Sequence, residues 1–162
     1  NIGGDLEDVV SIVEIFLPGT IPGELLFYSS TTVGNIDTIR NKYTVSQEIF
    51  RFTKPLTVLV NKNTKSATEV LAGVIKKKKR GVILGSTTFK KGVVQKCAWL
   101  YDGSCAHITT LYWNFWDGEN IGERGVEPDI PLLLETELWH VGFPRYDIPL
   151  ARALELLEYE LQ

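Results

Sequence analysis

The spacing of apolar residues along the first third of the chain predicts a helix followed by a strand. Five apolar residues recur at the three- and four-residue intervals of an amphipathic helix: Leu6, Val9, Val10, Val13 and Phe16. Pro18-Gly19 ends that pattern, and the segment from Glu24 to Thr32 has the composition of a strand. The polar pairs Gly34-Asn35 and Asn41-Lys42 then favour a loop or a short hairpin before a further apolar segment at 48–52.

The middle of the chain has the pattern of a parallel crossover. Leu56 to Val60 is a short, nearly continuous apolar run, as expected of a strand that is buried on both faces. A helical pattern follows over 67–79, and the apolar segment 81–85 predicts the next buried strand. A strand, a helix and a second strand in this order indicate a right-handed parallel connection, and therefore an α/β fold.

The last third predicts a hairpin and a closing helix. Two strand patterns, 92–99 and 104–113, flank the turn sequence at Tyr101 to Ser104. If Asp102-Gly103 forms a two-residue turn, Cys97 and Cys105 point to opposite faces, so a disulfide between them is disfavoured. The two cysteines therefore do not indicate whether the protein resides in a reducing or an oxidising compartment. The segment 147–161 has the spacing of an amphipathic helix.

Composition and charge exclude several classes of protein. With 162 residues, of which 44% are hydrophobic and 23% charged, the chain is long enough for one globular domain with its own core. Its net charge of −3 gives no general attraction to nucleic acid or to anionic membranes. The basic run at 76–80 falls at the end of the predicted helix, where cations complement the helix dipole, and we favour that reading over a nucleic-acid patch. No apolar stretch reaches the length of a membrane span, and no residue cluster indicates a metal or another cofactor.

Ser66 and Lys91 are the candidate catalytic pair. Ser66 lies three residues before Glu69 at the start of the predicted helix, a spacing that also forms an ordinary capping box. As a nucleophile it would have the N–H of Ala67 at the helix start to stabilise an oxyanion. Lys91 could serve as its base only if it is neutral, which requires burial to lower its pKa from about 10.4; the alternative is a solvated lysine. Gln95 falls on the same strand face and could hold the amine, unless it is an edge residue in solvent.

Four segments together resemble the C-terminal processing peptidases, also called tail-specific proteases. They are NIGG at 1–4, SATEVLA at 66–72, FKKGVVQ at 89–95 and GVEPDI at 125–130. Two positions depart from the family pattern: Ile2 stands where a proline is usual, and Lys90 where a glycine precedes the base. The second departure leaves two alternatives, because that glycine serves either to avoid a clash or to provide a positive φ.

The resemblance implies a serine endopeptidase that cleaves protein substrates near their carboxyl terminus through an acyl-enzyme. It assigns Ser66 as nucleophile, Lys91 as base and Gln95 as the residue that orients the base. The oxyanion hole is implied to consist of the N–H groups of Gly4 and Ala67, with Gly3 as the second choice for the former, and neither metal nor cofactor is implied. The expected fold is a ClpP/crotonase-like superhelix of strand-strand-helix units. His107 and His140 have no partner motif and are expected to be structural.

The resemblance also bears on the domain, its partners and its compartment. Residues 1–162 are expected to be the C-terminal part of a tail-specific protease catalytic domain. An upstream strand and a peptide-binding PDZ module, absent from this chain, would be supplied in cis or in trans. Substrates would be proteins or peptides with free carboxyl termini, and the compartment the thylakoid lumen or chloroplast, or else a bacterial periplasm or cell envelope. The alternative function is that of a non-catalytic relative, which acts as a binding or scaffold subunit.

Overall fold

The computed structural model describes residues 1–33, 36–46, 51–132 and 147–160. The helices of these residues are α1 (Leu6–Phe16), α2 (Ala67–Lys77), α3 (Ile121–Arg124) and α4 (Ile148–Glu160). The strands are β1 (Leu25–Val33), β2 (Ile36–Thr44), β3 (Thr57–Val60), β4 (Val82–Gly85), β5 (Val93–Trp99), β6 (Cys105–Phe115) and β7 (Ile130–Pro131). The predicted α/β class is confirmed. Among the described residues, no helix has both the length and the apolar character needed to cross a bilayer.

The strands form two sheets. The first is antiparallel in the order β2-β1-β6-β5, and the second contains β3, β4 and β7. Strands β3 and β4 pair in parallel, with Thr57 opposite Val82, and α2 connects them along the chain. This confirms the predicted parallel crossover. β7 extends the second sheet in parallel, with Leu84 opposite Ile130.

Helix α2 packs against both sheets, and this places its N-terminus beside the antiparallel one. One face of α2 joins α1, β1 and β6 in the larger core cluster, through Val70 and Val74. The other face packs on β3 and β4 through Ala72 and Ile75. The contact with β6 is close, because a Cβ added at Gly73 would lie 2.2 Å from the ring of Phe115.

The structure decides one open prediction about the strands and contradicts another. For the region 36–44, where a loop and a short hairpin were the alternatives, the structure has a nine-residue strand that pairs antiparallel with β1 and has mostly exposed side chains. An exposed strand lacks the apolar alternation by which strands are recognised, and this is why the pattern did not decide between the two alternatives. β3 is only partly buried, with Leu59 39% exposed, and not covered on both faces. Of the apolar segment predicted at 48–52, residues 48–50 lie outside the described part of the chain.

The register of the β5–β6 hairpin also differs from the prediction. Trp99 pairs with Cys105, and Leu100 N donates to Ser104 O at 2.9 Å, so the loop contains three residues and not two. One residue of register moves a side chain to the opposite face of a strand. Cys97 and Cys105 therefore share a face, with Cα atoms 5.7 Å apart, and they form a disulfide. The prediction that this disulfide is disfavoured was wrong.

Candidate active site

Ser66 occupies the N-cap of α2 in a backbone conformation that ordinary caps do not use. Its φ is 61° and its ψ is −129°, whereas an N-cap residue normally lies in the extended region. Ser66 and Glu69 form a capping box, in which the Glu69 carboxylate accepts a hydrogen bond from Ser66 N at 2.9 Å. A non-glycine residue at positive φ is costly, and such residues cluster at functional sites. This geometry favours a nucleophile over a simple cap.

The Gly3-Gly4 turn lies directly against Ser66. Gly3 has a φ of 102°, and a Cβ added to it would lie 2.9 Å from both Lys65 O and Ser66 Cβ. Only glycine therefore fits at this position. The Gly3 N–H donates to Asn1 Oδ1 at 3.0 Å, so this donor is already engaged.

Gly4 is the better placed of the two glycines to contribute an oxyanion donor. It lines a cavity in front of Ser66, and no atom lies within 4 Å of a Cβ added to it. Ala67 N lies 3.3 Å from the position of a Cβ on Gly3, so the start of α2 adjoins the same turn. As the first residue of the helix, Ala67 has an N–H without an intrahelical acceptor.

The cavity in front of Ser66, here called the Ser66 cavity, brings together most of the predicted site. It has a volume of about 360 Å³, and its lining includes Gly4, Tyr43, Ser66, Lys91, Gln95 and Trp113. A β-bulge between Val94 and Gln95 interrupts the strand alternation on which the same-face prediction rested, yet both Lys91 and Gln95 line the cavity. Lys91 is half-buried and Gln95 is exposed, so Lys91 is less enclosed than predicted.

Close backbone packing holds the segment that carries Lys91. A Cβ at Gly92 would lie 2.2 Å from Gly122 N and 2.4 Å from Asn120 Oδ1. Asn120 also donates to the carbonyl groups of Gly92 and Trp113, at 3.4 and 2.6 Å. The glycine after Lys91 is thus locked against the N-terminus of α3.

The carboxylate of Glu69 connects the two halves of the candidate site. Its side chain is fully buried, and its oxygens accept hydrogen bonds from Ser66 N at 2.9 Å, Lys90 N at 2.8 Å and Lys91 N at 2.9 Å. Thr88 Oγ1 donates a fourth hydrogen bond, at 2.5 Å. Four is the acceptor capacity of an ionised carboxylate. One side chain therefore sets the spacing between the backbone of the serine and that of the lysine.

Thr88 extends this network to the fourth motif. Its hydroxyl, which donates to Glu69, accepts from Val126 N at 2.8 Å, and Thr88 N donates to Val126 O at 3.2 Å. Within the same motif, Asp129 Oδ2 accepts from Ile83 N at 2.9 Å. The GVEPDI segment is thus hydrogen-bonded both to β4 and to the loop before Lys91. Its residues therefore have a structural role beside the candidate site.

The backbone of Lys90 distinguishes between the two reasons for a glycine at this position, which were the avoidance of a clash and a positive φ. Its φ is 74°, in the left-handed region, so the position calls for a positive φ. A lysine there is strained, but its N–H still reaches the Glu69 carboxylate at 2.8 Å. The backbone course of this loop is therefore compatible with lysine.

Tyr43 was not identified from the sequence, although it lines the Ser66 cavity. Its ring stacks on Phe27, with centroids 4.5 Å apart. Burial raises the pKa of its phenol, and the carboxylates of Glu7 and Asp5 raise it further. The phenol is therefore protonated at neutral pH and offers the cavity a hydrogen-bond donor. Its strand has no apolar alternation, so no sequence signal marked it.

Of the two histidines, His107 is exposed on β6 and is not among the residues that line the Ser66 cavity. His140 lies outside the described residues. The prediction that both histidines are structural rested on their lack of a partner motif. Among the described residues, the cavity is lined by Ser66 and Lys91 and by no histidine.

Comparison with known proteins identifies relatives over most of the chain. Residues 1–132 match the sequence model of Peptidase family S41. The chain is 42% identical over 103 residues to a chloroplastic C-terminal processing peptidase of Tetradesmus obliquus, which covers 62% of this chain. It is 30% identical over 161 residues to a carboxyl-terminal-processing protease of Synechocystis, which covers 97% of this chain. A solved structure of a photosystem II D1 C-terminal processing protease superposes with a TM-score of 0.64 at 34% identity over 80% of the chain.

These relatives are considerably longer than the chain. The matched region covers 22% of the Tetradesmus protein, 35% of the Synechocystis protein and 32% of the solved structure.

Proposed function

The chain belongs to peptidase family S41, and from this premise we propose that it carries the Ser/Lys catalytic centre of a serine endopeptidase that cleaves protein substrates near their carboxyl terminus. The observation that carries the proposal is the Ser66 cavity, where Ser66, Lys91, Gln95 and Gly4 converge from separate segments of the chain. The strained φ of Ser66 supports the same role. We also propose the ClpP/crotonase-like superhelix as the fold of the family to which this chain belongs.

In the proposed mechanism, the Ser66 hydroxyl attacks the carbonyl carbon of the scissile peptide bond while Lys91 takes its proton. The resulting oxyanion accepts hydrogen bonds from the N–H group of Gly4, which lines the Ser66 cavity, and from the N–H group of Ala67 at the start of α2. Lys91 then gives the proton to the leaving amine, and an acyl-serine remains. Water, deprotonated by Lys91, attacks the carbonyl carbon of the ester. The bond from that carbon to Ser66 Oγ then breaks, Lys91 returns the proton to Oγ, and the carboxylic acid product is released. Gln95 orients the lysine amine through these steps.

The proposal is tested by combining substrate hydrolysis with labelling by a serine-reactive phosphonate probe. We expect the probe to modify Ser66, and both labelling and hydrolysis to be lost in Ser66→Ala. Folding should remain close to that of the unmodified protein, apart from about 1 kcal/mol for the altered helix start. Ser11→Ala, on the exposed side of α1, is the matched control and should leave both signals unchanged.

The same assay separates the enzyme from its alternative. Hydrolysis that continues at an undiminished rate in Ser66→Ala would remove Ser66 from the mechanism. A folded protein that neither hydrolyses peptides nor reacts with the probe would instead fit a non-catalytic relative that serves as a binding or scaffold subunit.

The compartment and the partners belong to the same proposal. The relatives include chloroplastic and bacterial processing proteases, and the disulfide between Cys97 and Cys105 is of the kind that persists in oxidising compartments. We therefore propose the thylakoid lumen, or a bacterial periplasm or cell envelope. Substrates are proteins with free carboxyl termini, and a PDZ module in cis or in trans is proposed to capture those termini. Fractionation with a lumenal or periplasmic marker tests the first part, and binding of a PDZ-containing segment tests the second.

A further inference from the structure

Most lysines of the basic run at the end of α2 are neutralised by carboxylates. Lys76 pairs with Asp129 at 2.7 Å and Lys77 with Asp117 at 2.6 Å. Lys78 pairs with Glu24. The basic run at 76–80 is therefore largely engaged in ion pairs within the chain and offers few unpaired ammonium groups to a ligand.

A different group of lysines faces open space beside the candidate active site. Lys65, Lys90 and Lys91 line a groove of about 810 Å³, here called the lysine groove. Within the described part of the chain, none of their ammonium groups has a carboxylate partner; the Lys65 ammonium lies 5.5 Å from the ring centroid of Phe89. The acidic residue among those lining the groove, Asp37, accepts a hydrogen bond from Thr32.

The lysine groove is continuous with the site where cleavage is proposed. Lys91, Val93 and Gln95 line both the groove and the Ser66 cavity. Its wall also contains apolar surface, because Phe89 is 55% and Tyr112 42% exposed. A peptide that occupies the Ser66 cavity can therefore extend into the groove, where side-chain stems meet aromatic surface and polar ends meet ammonium groups.

From this arrangement we propose that the lysine groove is a substrate subsite for carboxylate groups next to the scissile bond, and that it gives the enzyme a preference for acidic segments. The proposal rests on the proposed function of Ser66 and Lys91. Lys65 and Lys90 supply the positive charge, because Lys91 is the proposed base of the reaction. The net charge of the whole chain is −3, so a preference for acidic peptides would not arise from its overall charge. The carboxylate can come from an acidic side chain or from the terminal α-carboxylate of the substrate.

Binding is measured apart from turnover, by fluorescence anisotropy with the Ser66→Ala protein. Four peptides of one length combine glutamate or glutamine next to the cleavage position with a free or amidated carboxyl terminus. We expect the acidic peptides to bind about five- to tenfold more tightly than the matched neutral amide, as expected for charged hydrogen bonds at a partly exposed site. This preference should weaken as salt is raised. A preference that follows glutamate identifies a side-chain carboxylate, and one that follows the free terminus identifies the terminal carboxylate.

The preference should disappear when Lys65→Gln and Lys90→Gln are combined, with the binding of the neutral amide unchanged. Lys96→Gln is the matched control, because Lys96 is exposed on β5 and is not among the groove residues. Equal binding of all four peptides, no binding of any, or an equal loss in Lys96→Gln would overturn the subsite. If the Ser66→Ala protein shows the preference but the unaltered protein cleaves none of the peptides, the subsite stands and the proposed function fails. If the unaltered protein cleaves the peptides but the acidic peptides bind no more tightly than the neutral amide, the proposed function stands and the subsite fails.

Discussion

Replacing Glu69 with glutamine tests the hydrogen-bond network that joins the serine to the lysine. Oε1 accepts from Thr88 Oγ1 at 2.5 Å and from Lys90 N at 2.8 Å. Oε2 accepts from Ser66 N and Lys91 N, both at 2.9 Å. An amide keeps only one oxygen, so in either orientation its NH2 group faces two donors.

The expected loss of stability in Glu69→Gln is worked out for the less costly orientation of the glutamine amide. With the NH2 group toward Thr88, the threonine hydroxyl can rotate and accept, but Lys90 N is left without an acceptor. An unpaired, partly buried N–H costs about 1–3 kcal/mol, and the two retained hydrogen bonds each lose about 1 kcal/mol when the charge is removed. We therefore expect Glu69→Gln to lower the free energy of unfolding by about 3–5 kcal/mol. A displacement of about 1 Å between Ser66 and Lys91 would reduce kcat by about 100-fold.

Urea unfolding and steady-state hydrolysis measure the two effects separately. Glu127→Gln is the matched control, because Glu127 is exposed and its side chain is outside the network. It should change the free energy of unfolding by less than about 0.5 kcal/mol. KM should change little in Glu69→Gln if the carboxylate positions the catalytic pair and does not contact the substrate.

A Glu69→Gln protein that unfolds at the same urea concentration as the unaltered protein and retains its kcat would refute both roles of the carboxylate. Loss of stability with full kcat under folding conditions would show that the network holds the fold but not the relative position of Ser66 and Lys91.

Two further predictions concern backbone strain and ion pairing. Lys90→Gly removes a left-handed lysine, a gain of about 1–2 kcal/mol, against about 0.5–1 kcal/mol for the flexibility of glycine in the unfolded chain. A net stabilisation of up to about 1.5 kcal/mol is therefore expected in thermal unfolding, whereas Lys96→Gly in β5 should lower stability. A lower stability of Lys90→Gly would contradict the strain assigned to Lys90. The hydrogen bond from Lys78 lowers the pKa of Glu24 below its ordinary value of 4.5. The stabilisation by this ion pair is therefore present above about pH 4.5, and it is lost as the pH falls through the lower pKa that Glu24 has in the folded protein. The stability difference between the unaltered protein and Lys78→Gln should therefore shrink from about pH 6 to about pH 3, and the same dependence in Lys54→Gln would refute the assignment.

Local patterns were sufficient for the elements whose signals lie within a few residues. The helices α1, α2 and α4 have apolar spacing at helical intervals, and β3 and β4 are short apolar runs on either side of a helix. Each signal reflects the burial of one face of a local element, which is why it can be read without knowing the rest of the fold. The motifs around Ser66 and Lys91 likewise named residues that the structure brings to one cavity.

Features that depend on contacts between distant segments required the tertiary structure. The disulfide was missed because a single residue of hairpin register decides which face each cysteine occupies, and the turn sequence allowed either loop length. Strand β2, with its exposed side chains, owes its place to pairing with β1.

The clearest case is Glu69. From its spacing to Ser66 it is one arm of a capping box, and the sequence alone determined that much. Its other three hydrogen bonds go to Thr88, Lys90 and Lys91, which belong to a loop that follows another strand. Only the folding of β4 beside β3, with α2 packed across them, brings that loop to the carboxylate. A buried charge is tolerable only when its hydrogen bonds are satisfied, and here they are satisfied by groups that come together in the folded chain.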